Sequence, residues 1–127
     1  MARILIAEDE ESVRSLVARA LALDGHDVMT ANDGAAALEL LTSTQGAFEL
    51  LLTDIRMPVM DGIALALAAA REHPQLTILL MTGYADQRER ASGLDALIHD
   101  VITKPFSLAT IRGAVNDALA GAGRPIH

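Results

Sequence analysis

Five short runs rich in Ile, Leu and Val, at Arg3–Ala7, Asp27–Ala31, Glu49–Thr53, Thr77–Thr82 and Asp100–Thr103, recur along the chain, and longer amphipathic segments separate them. Runs this short and this apolar suit strands covered on both faces, which need helices above and below them. The amphipathic segments can supply those helices. The clearest places Val13, Leu16, Val17, Ala20 and Leu21 at helical spacing, with Ser12 as the expected N-cap and Gly25 closing it. The last starts from Ser107, carries Leu108, Ile111, Val115 and Leu119 on one stripe, and stops at Gly121, Gly123 and Pro125. A fourth helix, over Asp86–Leu97, has few apolar anchors and is expected to be the most mobile element. Consecutive parallel strands cannot be joined by hairpins, so strand-then-helix repeats imply right-handed crossovers. The expected fold is α/β: a doubly wound five-stranded parallel sheet with helices on both faces over residues 1–120, then a flexible tail over 121–127.

Composition narrows the function classes. At 127 residues the chain makes one domain, and with Phe48, Tyr84 and Phe106 as its aromatics the core must be aliphatic. Seventeen acidic side chains against ten basic ones give a formal charge of −7. Arg88 and Arg90 stand nearly alone, and no basic stripe exists to replace phosphate counterions, which argues against a nucleic-acid partner. The absence of cysteine excludes disulfides, thiolate metal sites and a Cys nucleophile, and fits a reducing compartment. The apolar run at Met1–Ala7 is too short for a signal peptide, and no stretch approaches the ~20 apolar residues of a membrane span, so a cytoplasmic protein with no membrane partner is expected.

In a doubly wound sheet, ligands sit beyond the carboxyl ends of the strands. Those ends carry Glu8 and Asp9, then Asp54, then Thr82, then Lys104 followed by Pro105. Carboxylates packed together repel unless a cation sits among them, and a hard divalent ion with oxygen ligands, Mg²⁺, resolves that conflict. Lys104 is the only lysine in the chain and follows the apolar pair Val101–Ile102, a place for a compact point charge. An ammonium to neutralise a phosphoryl group and a Thr82 hydroxyl to bond one of its oxygens suit phosphoryl transfer to Asp54.

At these positions the sequence resembles the receiver domain of two-component response regulators, the CheY-like family with its flavodoxin-like (βα)5 fold, over essentially its whole length. The resemblance rests on Glu8-Asp9, on the run from Leu52 to Gly62 that contains Asp54, Arg56, Met57-Pro58 and Asp61-Gly62, on Met81-Thr82-Gly83, and on Lys104-Pro105-Phe106. It implies that Asp54 is the phosphoacceptor, taking the group from a phosphohistidine on a histidine kinase or histidine phosphotransferase. It implies direct Mg²⁺ ligation by Asp9, Asp54 and the backbone carbonyl of Arg56, with Glu8 acting through water. Thr82 and Lys104 would close on the aspartyl phosphate, and the Lys104–Pro105 bond would be cis. The chain would catalyse only its own phosphorylation and dephosphorylation and signal to an unknown downstream protein. In many receivers an aromatic stands three positions before the lysine, where this chain has Val101. Tyr84, two residues after Thr82, is the candidate switch residue in its place, acting with the fourth helix.

Plainer readings stand beside these. Glu8 to Glu11 could be negative charge favoured at a helix start, Asp61-Gly62 reads as an ordinary turn, Thr82 as strand filler and Tyr84 as packing. The four histidines show no metal-site spacing. Three functions compete: a stand-alone phosphorylatable signalling domain with no output domain after His127, an adaptor whose binding is constitutive, and an enzyme of similar architecture. The enzyme has thin support. No phosphate-cradling loop follows the first strand, no P-loop exists, and a phosphohydrolase of this type would want an acid where Arg56 stands.

Overall fold

The runs of apolar residues do form strands, and alternation along them sorts the core into two layers. In the computed structural model, which describes residues 2–44, 47–83 and 89–122, β1 (Arg3–Ala7), β2 (Asp27–Ala31), β3 (Leu50–Asp54), β4 (Thr77–Thr82) and β5 (Asp100–Thr103) make one sheet. Every pairing is parallel and the order is β2-β1-β3-β4-β5, so the winding reverses between β1 and β3. Leu5, Ala7, Leu51, Ile78 and Leu80 face one layer, which contains α2 (Gly34–Ser43) and α3 (Gly62–Glu72). Ile4, Ile6, Leu50, Leu52, Leu79 and Met81 face the other, with α1 (Glu11–Leu23) and α4 (Leu108–Ala122). Period-2 alternation of large aliphatics is what a sheet buried on both faces requires. Among the described residues no helix is long and apolar enough to cross a membrane.

Helix starts follow capping chemistry. Asp33 accepts the Ala36 N–H at 2.7 Å, Asp61 the Ala64 N–H at 2.9 Å, and Ser107 the Thr110 N–H at 3.0 Å, each offering oxygen to a donor that lacks an intrahelical partner. Asp61-Gly62 is therefore the cap and first residue of α3 rather than a simple turn. Ser12 is not the cap of α1. The helix begins at Glu11 after Glu10, whose side chain makes no capping bond; the Glu10 N–H is held by Glu8 and the Ser12 hydroxyl donates to the Glu10 carboxylate.

Three further readings shift. β3 runs one residue later than its apolar run, ending on Asp54, which is in register with Met81 of β4. Leu16, on the expected core stripe of α1, is 51% exposed. The helix expected over Asp86–Leu97 is described only from Glu89, and there it tightens into a 3₁₀ turn at Ser92–Leu94 before reaching Leu97. Gly93 and the shortage of apolar anchors leave little to prolong it. Residues 84–88, Tyr84 among them, lie outside the described residues. At the other end α4 runs through Gly121 and Ala122, two residues into the segment read as tail.

Candidate functional site

The reversal of winding leaves a crevice between the carboxyl ends of β1 and β3, and the acids fall on its rim. Glu8 follows β1 directly. Its N–H bonds the Ala31 carbonyl, its own carbonyl accepts from Arg14 Nη1, and one carboxylate oxygen accepts the Glu10 N–H at 3.2 Å. The other oxygen accepts a hydrogen bond from Lys104 Nζ at 2.8 Å. Asp54, at the tip of β3, accepts from the same ammonium at 3.0 Å. Lys104 thus bridges two strand ends from a third, and its backbone N–H is fixed to the Thr82 carbonyl at 2.7 Å. The Lys104–Pro105 peptide is cis, as expected.

Burial sets the electrostatics. Glu8 is 1% exposed and Asp54 7%, whereas Asp9 faces solvent. Loss of water pushes the Glu8 carboxyl up to about 7, the Lys104 hydrogen bond pulling it down only in part and the Asp54 charge pushing the same way as burial. Burial works against the Lys104 charge too, but the hydrogen bonds to Glu8 and Asp54 outweigh it and hold the ammonium above its ordinary range.

Oxygens of Glu8, Asp9 and Asp54 lie within 4.8 Å of one another. Three carboxylates against one ammonium leave the ionised cluster two positive charges short. The donor set is all oxygen. A hard dication fits both the charge deficit and the ligand chemistry. Thr82, buried at the end of β4, stands at the strand end beside this cluster.

The loop after Asp54 is held by close backbone contacts. The Gly62 N–H bonds the Ile55 carbonyl at 2.7 Å, and a Cβ on Gly62 would lie 2.1 Å from the Asp54 carbonyl oxygen. Gly34 likewise leaves no room for a side chain against the Met60 carbonyl. Between them, Val59 sits at φ 70, a left-handed conformation that a β-branched residue resists.

A groove of about 910 Å³ opens beside Asp54. Arg56 and Asp9 stand on its polar side, and Val13, Leu16 and Phe106 on its apolar wall. Of the sequence candidates, the structure brings together Glu8, Asp9, Asp54 and Lys104, with Thr82 at the neighbouring strand end and Arg56 on the groove. It does not describe Tyr84. Two features escaped the sequence reading. Leu16 belongs to the groove wall instead of the core, and its place in an apolar stripe concealed this. Asp61 pairs with Arg90 at 2.9 Å across the domain, a contact between positions that no spacing rule connects.

Comparison with known proteins places the chain in a wider set. A sequence model described as the response regulator receiver domain matches residues 4–116. The chain is 40% identical over 118 residues to the regulatory protein AtoC of Escherichia coli, covering 92% of this chain and 25% of that protein. It is 38% identical over 122 residues to the response regulator receiver protein CpdR of Brucella abortus, covering 96% of this chain and all of CpdR. The structure of the response regulator protein TrrA from Thermotoga maritima, solved in complex with Mg²⁺-BeF, superposes with a TM-score of 0.82 at 28% identity, covering 93% of this chain and 99% of that one. The chain therefore spans only a quarter of AtoC but the whole of CpdR.

Proposed function

Because the chain belongs to the response regulator receiver domain family, we propose that Asp54 accepts a phosphoryl group from a phosphohistidine on a histidine kinase or phosphotransferase, and that the phosphorylated domain signals through altered protein contacts. The observation that carries this reading is the Lys104 ammonium shared between Glu8 and Asp54 at 2.8 and 3.0 Å inside a cluster that is short of positive charge. An ammonium already on the acceptor oxygen is placed to hold a phosphoryl oxygen once the group arrives.

An Asp54 oxygen attacks phosphorus, the P–N bond of the phosphohistidine breaks, and the imidazole nitrogen keeps the electron pair and takes a proton from solvent. Lys104 then binds one phosphoryl oxygen, and the Thr82 hydroxyl donates to another. Glu8, Asp9 and Asp54, with the Arg56 carbonyl, would hold Mg²⁺. The ion, when bound, neutralises charge on the acids and on the transferring group. The apolar wall of Val13, Leu16 and Phe106 beside Asp54 gives a donor protein a surface to rest on. On this reading the chain turns over only the phosphoryl group that its own Asp54 takes up. The similarity to TrrA, solved with Mg²⁺-BeF, supports the ion and the phosphoryl site. The full-length similarity to CpdR supports action as a single-domain regulator.

Incubation with Mg²⁺ and acetyl phosphate, read by intact mass, tests the acceptor reading. One added phosphoryl group is expected in wild type with Mg²⁺, and none with EDTA or in Asp54→Asn. Uptake by Asp54→Asn equal to wild type would overturn it.

A further inference from the structure

Building on that reading of the acidic site, we infer that Arg14 is a positioning residue that fixes the turn between β1 and α1, and through it the Asp9 carboxylate, for uptake of a divalent cation. The turn is only Glu8, Asp9 and Glu10. Arg14, half-buried in the first turn of α1, holds it twice. Its backbone N–H donates to the Glu10 carbonyl at 2.9 Å, and its guanidinium reaches back so that Nη1 donates to the Glu8 carbonyl at 2.9 Å. Glu8 has other holds: its N–H bonds the Ala31 carbonyl at 3.1 Å, and its carboxylate accepts from the Glu10 N–H and from Lys104. Asp9 stands between the two anchored carbonyls and faces solvent, so the backbone on either side places its carboxylate. The Glu8 carbonyl and the Asp9 N–H share one planar peptide unit. A donor on that oxygen therefore fixes the plane from which the Asp9 side chain springs.

The Arg14 side chain lines a separate cavity of about 480 Å³ with Thr30, Asn32 and Glu39, whereas Asp9 and Glu10 line the groove beside Asp54. Its charge and its hydrogen bond make opposite predictions. A guanidinium acting by charge repels a dication, so its removal would tighten binding. One acting by its hydrogen bond preorganises an oxygen ligand, so its removal weakens binding. Groups that orient a ligand without touching the metal change affinity by about 10- to 100-fold. Arg14 acts one step further out, through the backbone of the turn, and its loss should cost about three- to tenfold.

The test is calorimetric titration of Mg²⁺ into the full chain, at a temperature where circular dichroism shows each variant folded, joined to amide hydrogen exchange of the metal-free proteins followed by NMR. Arg14→Met keeps an unbranched stem while removing donor and charge. Arg14→Gln, too short to span the turn, gives the same comparison should Arg14→Met fail to fold. The expected result is Mg²⁺ binding weaker by about three- to tenfold, with exchange at the Asp9 and Glu10 N–H groups accelerated more than at those of β3 and β4. A merely structural residue would lower the melting temperature and leave the Mg²⁺ affinity of the folded protein unchanged. Unchanged or tighter binding would overturn the inference while leaving the acceptor reading intact, and so would exchange no more accelerated at the turn than in the sheet. Failure of both variants to fold would assign Arg14 to the fold alone and overturn it as well. No Mg²⁺ uptake by wild type would defeat both the inference and the reading of the site on which it rests.

Discussion

At the scale of single residues, Glu8 is where folding and function pull apart. Its native carboxyl is raised from 4.5 to about 7, chiefly by burial, so the folded state keeps a proton that the unfolded chain releases. The sign is opposite to that of an ordinary salt-bridged carboxylate. The Glu8 contribution to the stability of the metal-free fold is greatest below 4.5 and falls as pH rises through the window up to about 7. Urea midpoints measured in EDTA across that window should decline for wild type relative to Glu8→Gln, and parallel curves for the two proteins would contradict this. Lys104 offers the complementary test. Removing its charge by Lys104→Gln leaves three clustered carboxylates without their ammonium. Calorimetry should then show Mg²⁺ binding tightened by about three- to tenfold, since a like charge next to the ion has been deleted. Weaker Mg²⁺ binding by that variant would mean that the ammonium does not share the dication's site.

At the scale of elements, the β3–α3 loop stores strain next to the acceptor. Val59 is 83% exposed, so its replacement loses little burial, and its φ of 70 costs a β-branched residue about 1–3 kcal/mol. Val59→Gly relieves that strain at an entropic cost of about 0.5–1 kcal/mol, and chemical denaturation should show a net gain near ~1 kcal/mol. A loss of stability would show that Val59 makes contacts worth more than its strain. Gly62→Ala acts the other way. Its Cβ would fall 2.1 Å from the Asp54 carbonyl oxygen, and displacing backbone in a packed site should cost about 2–3 kcal/mol. A cost under about 0.5 kcal/mol, the range of an ordinary surface substitution, would mean that the loop yields freely. These elements also show how far the sequence carries. β1, β2, β4 and β5 begin and end where their apolar runs do, although only β1 and β4 of these are buried along most of their length. The start of α1 lies ahead of Ser12 because the Arg14 N–H already bonds the Glu10 carbonyl, so the helix opens at Glu11 without any side-chain cap for a local rule to find. The helix expected up to Leu97 gives way to a 3₁₀ turn at Ser92–Leu94, where weak amphipathicity could not specify a regular helix.

At the scale of the whole molecule, five strand ends are brought to one edge by parallel topology, so residues as far apart as Glu8 and Lys104 meet at 2.8 Å. That convergence was legible in the sequence because the acids, Thr82 and Lys104 each follow an apolar run directly, and the fold class decides that all those ends point the same way. What was not legible depends on side chains crossing between elements: the Asp61–Arg90 bridge and the exposure of Leu16 beside the groove. The central claim is that this edge makes Asp54 the one carboxylate able to carry a phosphoryl group. Borohydride reduction of the acetyl phosphate-treated protein, followed by peptide sequencing in a mass spectrometer, tests it most directly, because an acyl phosphate is reduced to an alcohol where it stands. The account predicts homoserine at position 54 alone, and only when Mg²⁺ was present. Reduction at Glu8 or Asp9, or no reduced residue after treatment with Mg²⁺, would contradict it.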